Sequence, residues 1–272
     1  MYDINILENP TIDDSILDFD ISFDMHYEYN GVAVPRVSHI LSACRDQESL
    51  ISWAAGIPEY LYKNIKNKAL TVGTEVHHKI DNYLYYTFGK SNIEDIENLE
   101  PQKDSYQEEI DTAYYNFKEW HRGLHNNGFI IEEVVGLEIP VVCPWYGGTI
   151  DAIFKINGLY YIIDFKTSKS ISYQYPIQTA AYMWIINSGY CKDLPHIDGI
   201  GIIRVDKRYS GGFEDLFMNV YNPNQAYLIN QYQMVFCSYV DSYYRSIHTN
   251  GLTRDYKESY NINNIGVKEN GE

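Results

Sequence analysis

Two carboxylates and an amine stand where β-structure is expected. Asp151, Asp164 and Lys166 lie within the stretch GGTIDAIFKINGLYYIIDFKTSK, Gly147 to Lys169, whose other residues are mostly apolar and aromatic. Asn157-Gly158 splits it, and both residue types tolerate the positive φ angles of a two-residue type I′ hairpin turn. That turn pairs Ile156 with Leu159. One face then carries Ile156/Leu159, Phe154/Tyr161, Ala152/Ile163 and Ile150/Phe165, and is expected to lie on the core. The other carries Lys155/Tyr160, Ile153/Ile162, Asp151/Asp164 and Thr149/Lys166. Asp151 is therefore expected opposite Asp164 in a non-hydrogen-bonded pair, roughly 4.5 Å apart at Cα. Like charges so placed destabilise a sheet, and a hard divalent ion with a taste for carboxylate oxygens reverses the sign. The plain alternative is a solvated strand face, but Ile153, Ile162 and Tyr160 share that face and make a poor one.

Other residues gain meaning from this hairpin. Glu138, in the preceding run Gly136-Leu137-Glu138-Ile139-Pro140-Val141, points either at the acids or at water, with Glu132 and Glu133 as alternatives. His77 follows Gly73-Thr74 on the first turn of a helix and is either a metal ligand or a hydrogen-bonded core histidine. Asp81, four residues on, shares its helical face and is placed to orient it. Gln178 and Tyr182 form another i,i+4 pair, on the helix after the hairpin.

The elements that must hold these residues follow from pattern and punctuation. A strand pair is expected over 19–35 around Asn30-Gly31, then a helix capped by Ser38 with Ile40, Leu41 and Cys44 on its apolar side. Residues 47–70 read as helix in pieces, broken at Gly56 and Pro58. A new helix, capped by Thr71 or Thr74, runs to about Tyr86. An acidic loop spans 89–104, and a helix over 105–127 ends at Gly128. Strands are expected at 129–142, 148–156 and 159–167, a helix from Pro176 to about Ile186, strands at 198–205 and 214–221, and a helix over 223–247. Helices interleaved with strands in this order predict an α/β fold with a central mixed β-sheet flanked by helices. Residues 1–34 read as an acidic arm or strand pair, 35–252 as the main domain, and 253–272 as a loose tail.

Composition limits the function classes. No apolar run reaches bilayer length, and the N-terminus has neither the basic start nor the apolar core of a secretion signal, so a soluble cytoplasmic protein with no membrane partner is expected. Cys44, Cys143, Cys191 and Cys237 show no CxxC spacing, which argues against zinc, iron–sulfur and disulfide frameworks. A net charge of −16 argues against strong non-specific nucleic-acid binding. Residues 1–35 contribute −8 and residues 91–111 contribute −7, however, so the remainder is nearly neutral and holds small basic groups: Lys63, Lys66 and Lys68; Lys166 and Lys169; Arg204, Lys207 and Arg208. A locally positive groove is compatible with that distribution.

Taken in order, Gly73-Thr74-Glu75-Val76-His77, Gly147-Gly148-Thr149-Ile150-Asp151, Ile163-Asp164-Phe165-Lys166-Thr167 and Gln178-x-x-x-Tyr182 resemble the motifs of the RecB-like, phage-type exonuclease branch of the PD-(D/E)XK nuclease superfamily. Val34-Pro35-Arg36-Val37-Ser38 resembles the start of its single-strand exonucleases. The resemblance spans roughly residues 35–205. It implies a restriction-endonuclease-like core and a Mg²⁺- or Mn²⁺-dependent deoxyribonuclease, an exonuclease acting on single-stranded DNA or duplex ends in phage-type recombination, replication or repair. It also implies Asp151, Asp164 and His77 as metal ligands with Glu138 less securely matched, Lys166 as the catalytic lysine, and Gln178 and Tyr182 as residues that position it or the substrate. Arg36, Ser38, Thr167 and Lys169 are assigned to substrate binding. A recombination or replication protein is a further expected partner, and the host cytoplasm the expected location. Asp164 is a departure, since many members carry glutamate there, and the cysteines some members use for an iron–sulfur cluster are missing. An endonuclease of the same fold is the nearest rival; an inactive nucleic-acid-binding or regulatory protein is the rival from another class.

Overall fold

A computed structural model describes residues 26–44, 58–89, 106–209 and 211–259. Its centre is a five-stranded mixed sheet in the order β3 (Ile131–Val142), β4 (Gly147–Ile156), β5 (Leu159–Lys166), β6 (Gly199–Val205) and β7 (Phe213–Asn219). Neighbours are antiparallel except β5 and β6, which run parallel. A parallel pair needs a crossover, and α4 (Gln174–Asn187) supplies it. A separate hairpin, β1 (His26–Tyr29) with β2 (Val32–Pro35), turns at Asn30-Gly31, where both residues have positive φ. Among the described residues no helix is long and apolar enough to cross a membrane.

Helices cover both faces of the sheet. On one lie α2 (Glu59–Phe88) and α3 (Gln107–Asn126); on the other lie α1 (Val37–Cys44), α4 and α5 (Pro223–Ser259). In α3, Ile110, Ala113, Phe117, Trp120 and Leu124 recur at helical spacing and are all buried, while Glu108 and Glu109 complement the dipole of its first turn. Each such apolar side chain contributes about 1.5–3 kcal/mol on burial. Gly128, at φ 76°, ends α3, and the Phe129 N–H reaches back to the Leu124 carbonyl.

Several sequence expectations are corrected. The helix carrying His77 does not begin at Thr71 or Thr74; it runs unbroken from Glu59, directly after Pro58, whose φ of −58° is already helical. Ser38 does not cap α1. The helix starts at Val37, and the Arg36 carbonyl accepts the first turn's N–H groups from His39 and Ile40. Pro176 lies two residues inside α4, within the first turn, where its missing N–H costs nothing. The terminal helix extends to Ser259, past the expected loose boundary at 253. The acidic arm before His26, the segments 45–57 and 90–105, and the last residues of the tail lie outside the described residues.

Candidate metal centre

The turn at Asn157-Gly158 forms as the sequence requires, with φ values of 48° and 81°. The Asn157 side chain also bridges to the Ile130 N–H and the Gly128 carbonyl, tying the hairpin to the end of β3's lead-in. From Ile156/Leu159 to Ala152/Ile163 the register is the expected one. There the ladder ends. Asp151 and Asp164 are not a ladder pair; instead the Asp151 Oδ2 accepts the Phe165 N–H at 2.7 Å, a carboxylate standing where a strand carbonyl is expected. Ile150 changes sides accordingly. It packs with the α1/α4/α5 core, whereas Phe165, its expected face-mate, packs with the α2/α3 core. Beyond this point β4 pairs with β3 and no longer with β5, and β5 leans on β6.

The parting of β4 from β5 opens a site that three elements fill. α2 brings His77, β3 brings Glu138 and β4 brings Asp151, and one ligand atom from each lies within 4.8 Å of the others. The His77 Nε2 lies 3.0 Å from the Phe165 carbonyl, which can only accept. Nε2 therefore donates that bond, and Nδ1 faces the Asp151 Oδ2 at 3.8 Å. Glu138 sits at φ 47°, in the left-handed region that a non-glycine residue rarely occupies. The β3–β4 register shifts by a residue between Val134 and Gly136, and Glu138 then lies between the pairs Leu137/Ala152 and Ile139/Ile150. The bulge and the left-handed residue together aim Glu138 across at Asp151. Of the three candidate glutamates, all exposed, Glu138 is the one that lies beside His77 and Asp151, while Glu132 pairs with Lys155.

Asp164 and Lys166 adjoin this trio. The Lys166 Nζ donates to the Asp164 Oδ1 at 2.6 Å. Asp164 is 3% exposed, and its Oδ2 is buried with no hydrogen-bond partner. Burial raises the Asp164 carboxyl above its ordinary range, opposed by the Lys166 ammonium and reinforced by Asp151. Burial would lower Lys166, but Asp164 and Asp151 outweigh it and keep the amine charged. The Tyr175 ring lies 5.0 Å from the ammonium. Asp81, expected to orient His77, does something else. It is buried, its Oδ1 has no partner, and burial together with the Glu138 and Asp151 charges pushes its carboxyl up to about 7. Partial burial and Asp151 raise Glu138 as well. These four acids lie near one another with Lys166 on Asp164 and the Phe165 N–H on Asp151 as hydrogen-bond donors, and two of their oxygens are orphaned. A hard divalent cation fits the chemistry of His77, Glu138 and Asp151: oxygen and imidazole donors with excess negative charge around them.

The paired glycines have a steric reason. A Cβ on Gly148 would stand 2.4 Å from the Tyr182 ring, and one on Gly147 2.7 Å from Tyr27. Tyr182, buried on α4, therefore brings the hydroxyl end of its ring against β4 at Gly148, with the Gln178 Nε2 3.3 Å from that hydroxyl. The Tyr27 hydroxyl meets the Thr149 Oγ1 at 2.6 Å. Sequence reading missed Tyr27; the signal was the glycine pair, which marks a close approach without naming the partner. Of the expected substrate contacts, Arg36 bridges to Gly147 and lays its guanidinium 5.7 Å from the Tyr27 ring centre. Thr167 lies on the α2 side, its Oγ1 3.8 Å from where a Gly73 Cβ would be. Ser38 is exposed on α1 and Lys169 on the loop after β5, where the Lys169 carbonyl accepts from Arg204. No family model matches the chain, and no curated protein is found to be similar to it.

Proposed function

We propose that this chain is a metal-dependent deoxyribonuclease of the PD-(D/E)XK type with a restriction-endonuclease-like core, acting as an exonuclease on single-stranded DNA or duplex ends in recombination, replication or repair. One observation carries the reading: His77, Glu138 and Asp151 converge from three separate elements to within 4.8 Å, beside a buried lysine–carboxylate pair. A structural role for that cluster would leave its acids paired, yet Asp81 and Asp164 each keep a buried oxygen without a partner.

Asp151, Glu138 and the His77 Nδ1 would hold Mg²⁺ or Mn²⁺, with the free oxygen of Asp164 completing the set. Such an ion supplies polarisation of a phosphoryl oxygen and a lowered pKa for bound water. The chain's own residues do the rest. Lys166, kept charged by Asp164, offers its ammonium to negative charge developing on the phosphoryl oxygens. A lysine suits this place because it is a compact donor with three rotatable N–H groups. The Phe165 carbonyl fixes the His77 ring, and the Phe165 N–H fixes Asp151, so β5 sets both donors through its backbone. Tyr182 and Gln178 wall the site on the α4 side.

The test is incubation with end-labelled linear single- and double-stranded DNA and with closed circles, with Mg²⁺, Mn²⁺ or a chelator. Metal-dependent release of nucleotides from linear DNA, with circles spared, is the expected result. Cleavage of circles would move the reading to an endonuclease. No metal-dependent cleavage of any substrate by folded protein would overturn it.

A further inference from the structure

The N-terminal half of α2 is unlike the rest of the helix. From Val72 onward, every fourth residue is buried in the α2/α3 core. Before it, Tyr60, Leu61, Lys63, Ile65, Lys66 and Leu70 are all exposed. The same fourteen residues, 59–72, carry three lysines against the single acid Glu59, in a chain of net charge −16.

Helical geometry sorts those lysines. At 3.6 residues per turn, Lys63, Lys66 and Leu70 fall within about 40° of the azimuth of His77. Lys66 stands about 16 Å and Lys63 about 21 Å up the axis from that residue. Lys68 points to the opposite side and is occupied there, by Glu109 at 2.7 Å and the Tyr106 ring at 5.0 Å. Among the described residues Lys66 has no ion-pair partner. Lys63 pairs with Glu59 across one turn, both side chains mostly exposed, a contact that a phosphate readily displaces. Leu70, 60% exposed, sits between the lysines and the site and offers an apolar surface to a base or sugar. Gly73, one turn on, faces Thr167 at the end of β5, so the row runs continuously into the cluster.

We propose that this face of α2 is a docking track for the nucleic-acid strand leading away from the phosphate held at His77, Glu138 and Asp151, with Lys63 and Lys66 on backbone phosphates and Leu70 under the intervening nucleotides. The inference rests on the nuclease reading. It also offers an acidic protein a way to hold a polyanion: a row of exposed lysines leading to the site supplies positive charge locally.

The experiment compares wild type, the double variant Lys63→Glu/Lys66→Glu and the conservative Lys63→Arg/Lys66→Arg. The substrates are fluorescein-labelled dT30 and dT4 oligonucleotides, read by cleavage with Mn²⁺ and by anisotropy without metal. Both substituted positions are solvent-facing, so folding is unaffected. The glutamate variant is expected to cleave dT4 as wild type does, to lose roughly tenfold or more on dT30, and to show a dT30 salt dependence shallower by about 1.4 in log–log slope, two single-strand phosphate contacts. The arginine variant is expected to match wild type. Equal dT30 binding and cleavage by wild type and glutamate variant would overturn the track while leaving the nuclease reading intact, as would a change in sedimentation alone, which assigns the face to a second copy of the chain. Absence of cleavage by wild type, with dT30 binding still weakened by the glutamates, would overturn the nuclease reading and uphold the track. Absence of dT30 binding by wild type overturns the track.

Discussion

The two ends of β5 each carry a buried acid region, and they are built on opposite terms. At the start of the strand, Asp198 accepts the Tyr160 N–H at Oδ2 and the Tyr221 hydroxyl at Oδ1, both at 2.9 Å. Its own N–H and carbonyl are also used, by the Tyr160 carbonyl and the Val220 N–H. At the far end, Asp164 and Asp81 each leave an oxygen buried and unpartnered, Glu138 occupies a left-handed backbone position, and three of the four acids are pushed up by burial and by one another. One carboxylate completes a hydrogen-bond network and joins the lead-in to β6 to β5 and to the residues after β7. The others form a network short of positive charge. The same sheet therefore distinguishes an acid that stabilises the fold from acids whose crowding and unpaired oxygens cost stability.

The largest expected difference between the two ends is in turnover. Lys166→Ala removes the ammonium that neighbours the cluster and touches no donor of the trio. Cleavage of labelled DNA is expected to fall roughly 10²–10⁴-fold, while Mn²⁺ still raises Tm. Undiminished turnover would detach the lysine from the chemistry. Next is ion binding. In wild type, Mn²⁺ at a hundred times its Kd adds about 2.7 kcal/mol of stability, measured as a rise in Tm. Asp151→Asn is expected to abolish that rise, whereas Asp198→Asn leaves it whole. A rise that survives Asp151→Asn would place the ion elsewhere.

The fold was legible where local chemistry decides it. Asn157-Gly158 fixed the hairpin, Asn30-Gly31 the smaller one, and the apolar spacing of Ile110 to Leu124 fixed α3. The site was legible as a set of residue types but not as a geometry. Asp151 was expected across from Asp164 because strand period alone was extended outward from the turn. The ladder in fact stops at Ala152/Ile163, where β5 takes β6 as its remaining neighbour, a long-range event with no local signature. Asp81 was read against His77, its helical neighbour, when its dominant surroundings are Glu138 and Asp151 from two distant strands. The continuity of α2 was hidden for a similar reason. Thr71 and Thr74 have the chemistry of caps, yet both lie inside a helix that runs from Glu59 to Phe88.

Smaller effects sharpen the contrast in the fold itself. Asp198→Ala strands the Tyr160 N–H and releases the exposed Tyr221 hydroxyl to water, and is expected to cost about 1–3 kcal/mol. At about 2–4 °C per kcal/mol that is a readily measured fall in Tm, the same with or without Mn²⁺. A fall confined to the metal-bound protein would contradict the purely structural role of this end.

Glu138→Asn is expected to go the other way. Asparagine tolerates the left-handed conformation better than glutamate, whose backbone there costs about 1–2 kcal/mol, and it removes one charge from the crowd around Asp151. Without metal the variant should therefore be more stable, by about 0.5–1 kcal/mol, since only part of the strain is relieved. With Mn²⁺ the order reverses, because wild type regains stability through a donor that the variant lacks. The crossing of the two Tm series as Mn²⁺ is added is the decisive reading. If the variant is less stable at every Mn²⁺ concentration, the left-handed glutamate is held by contacts of its own and is not poised for an ion. A parallel offset with the variant always higher would mean that Glu138 contributes strain and nothing to ion binding, and the site would reduce to His77, Asp151 and Asp164.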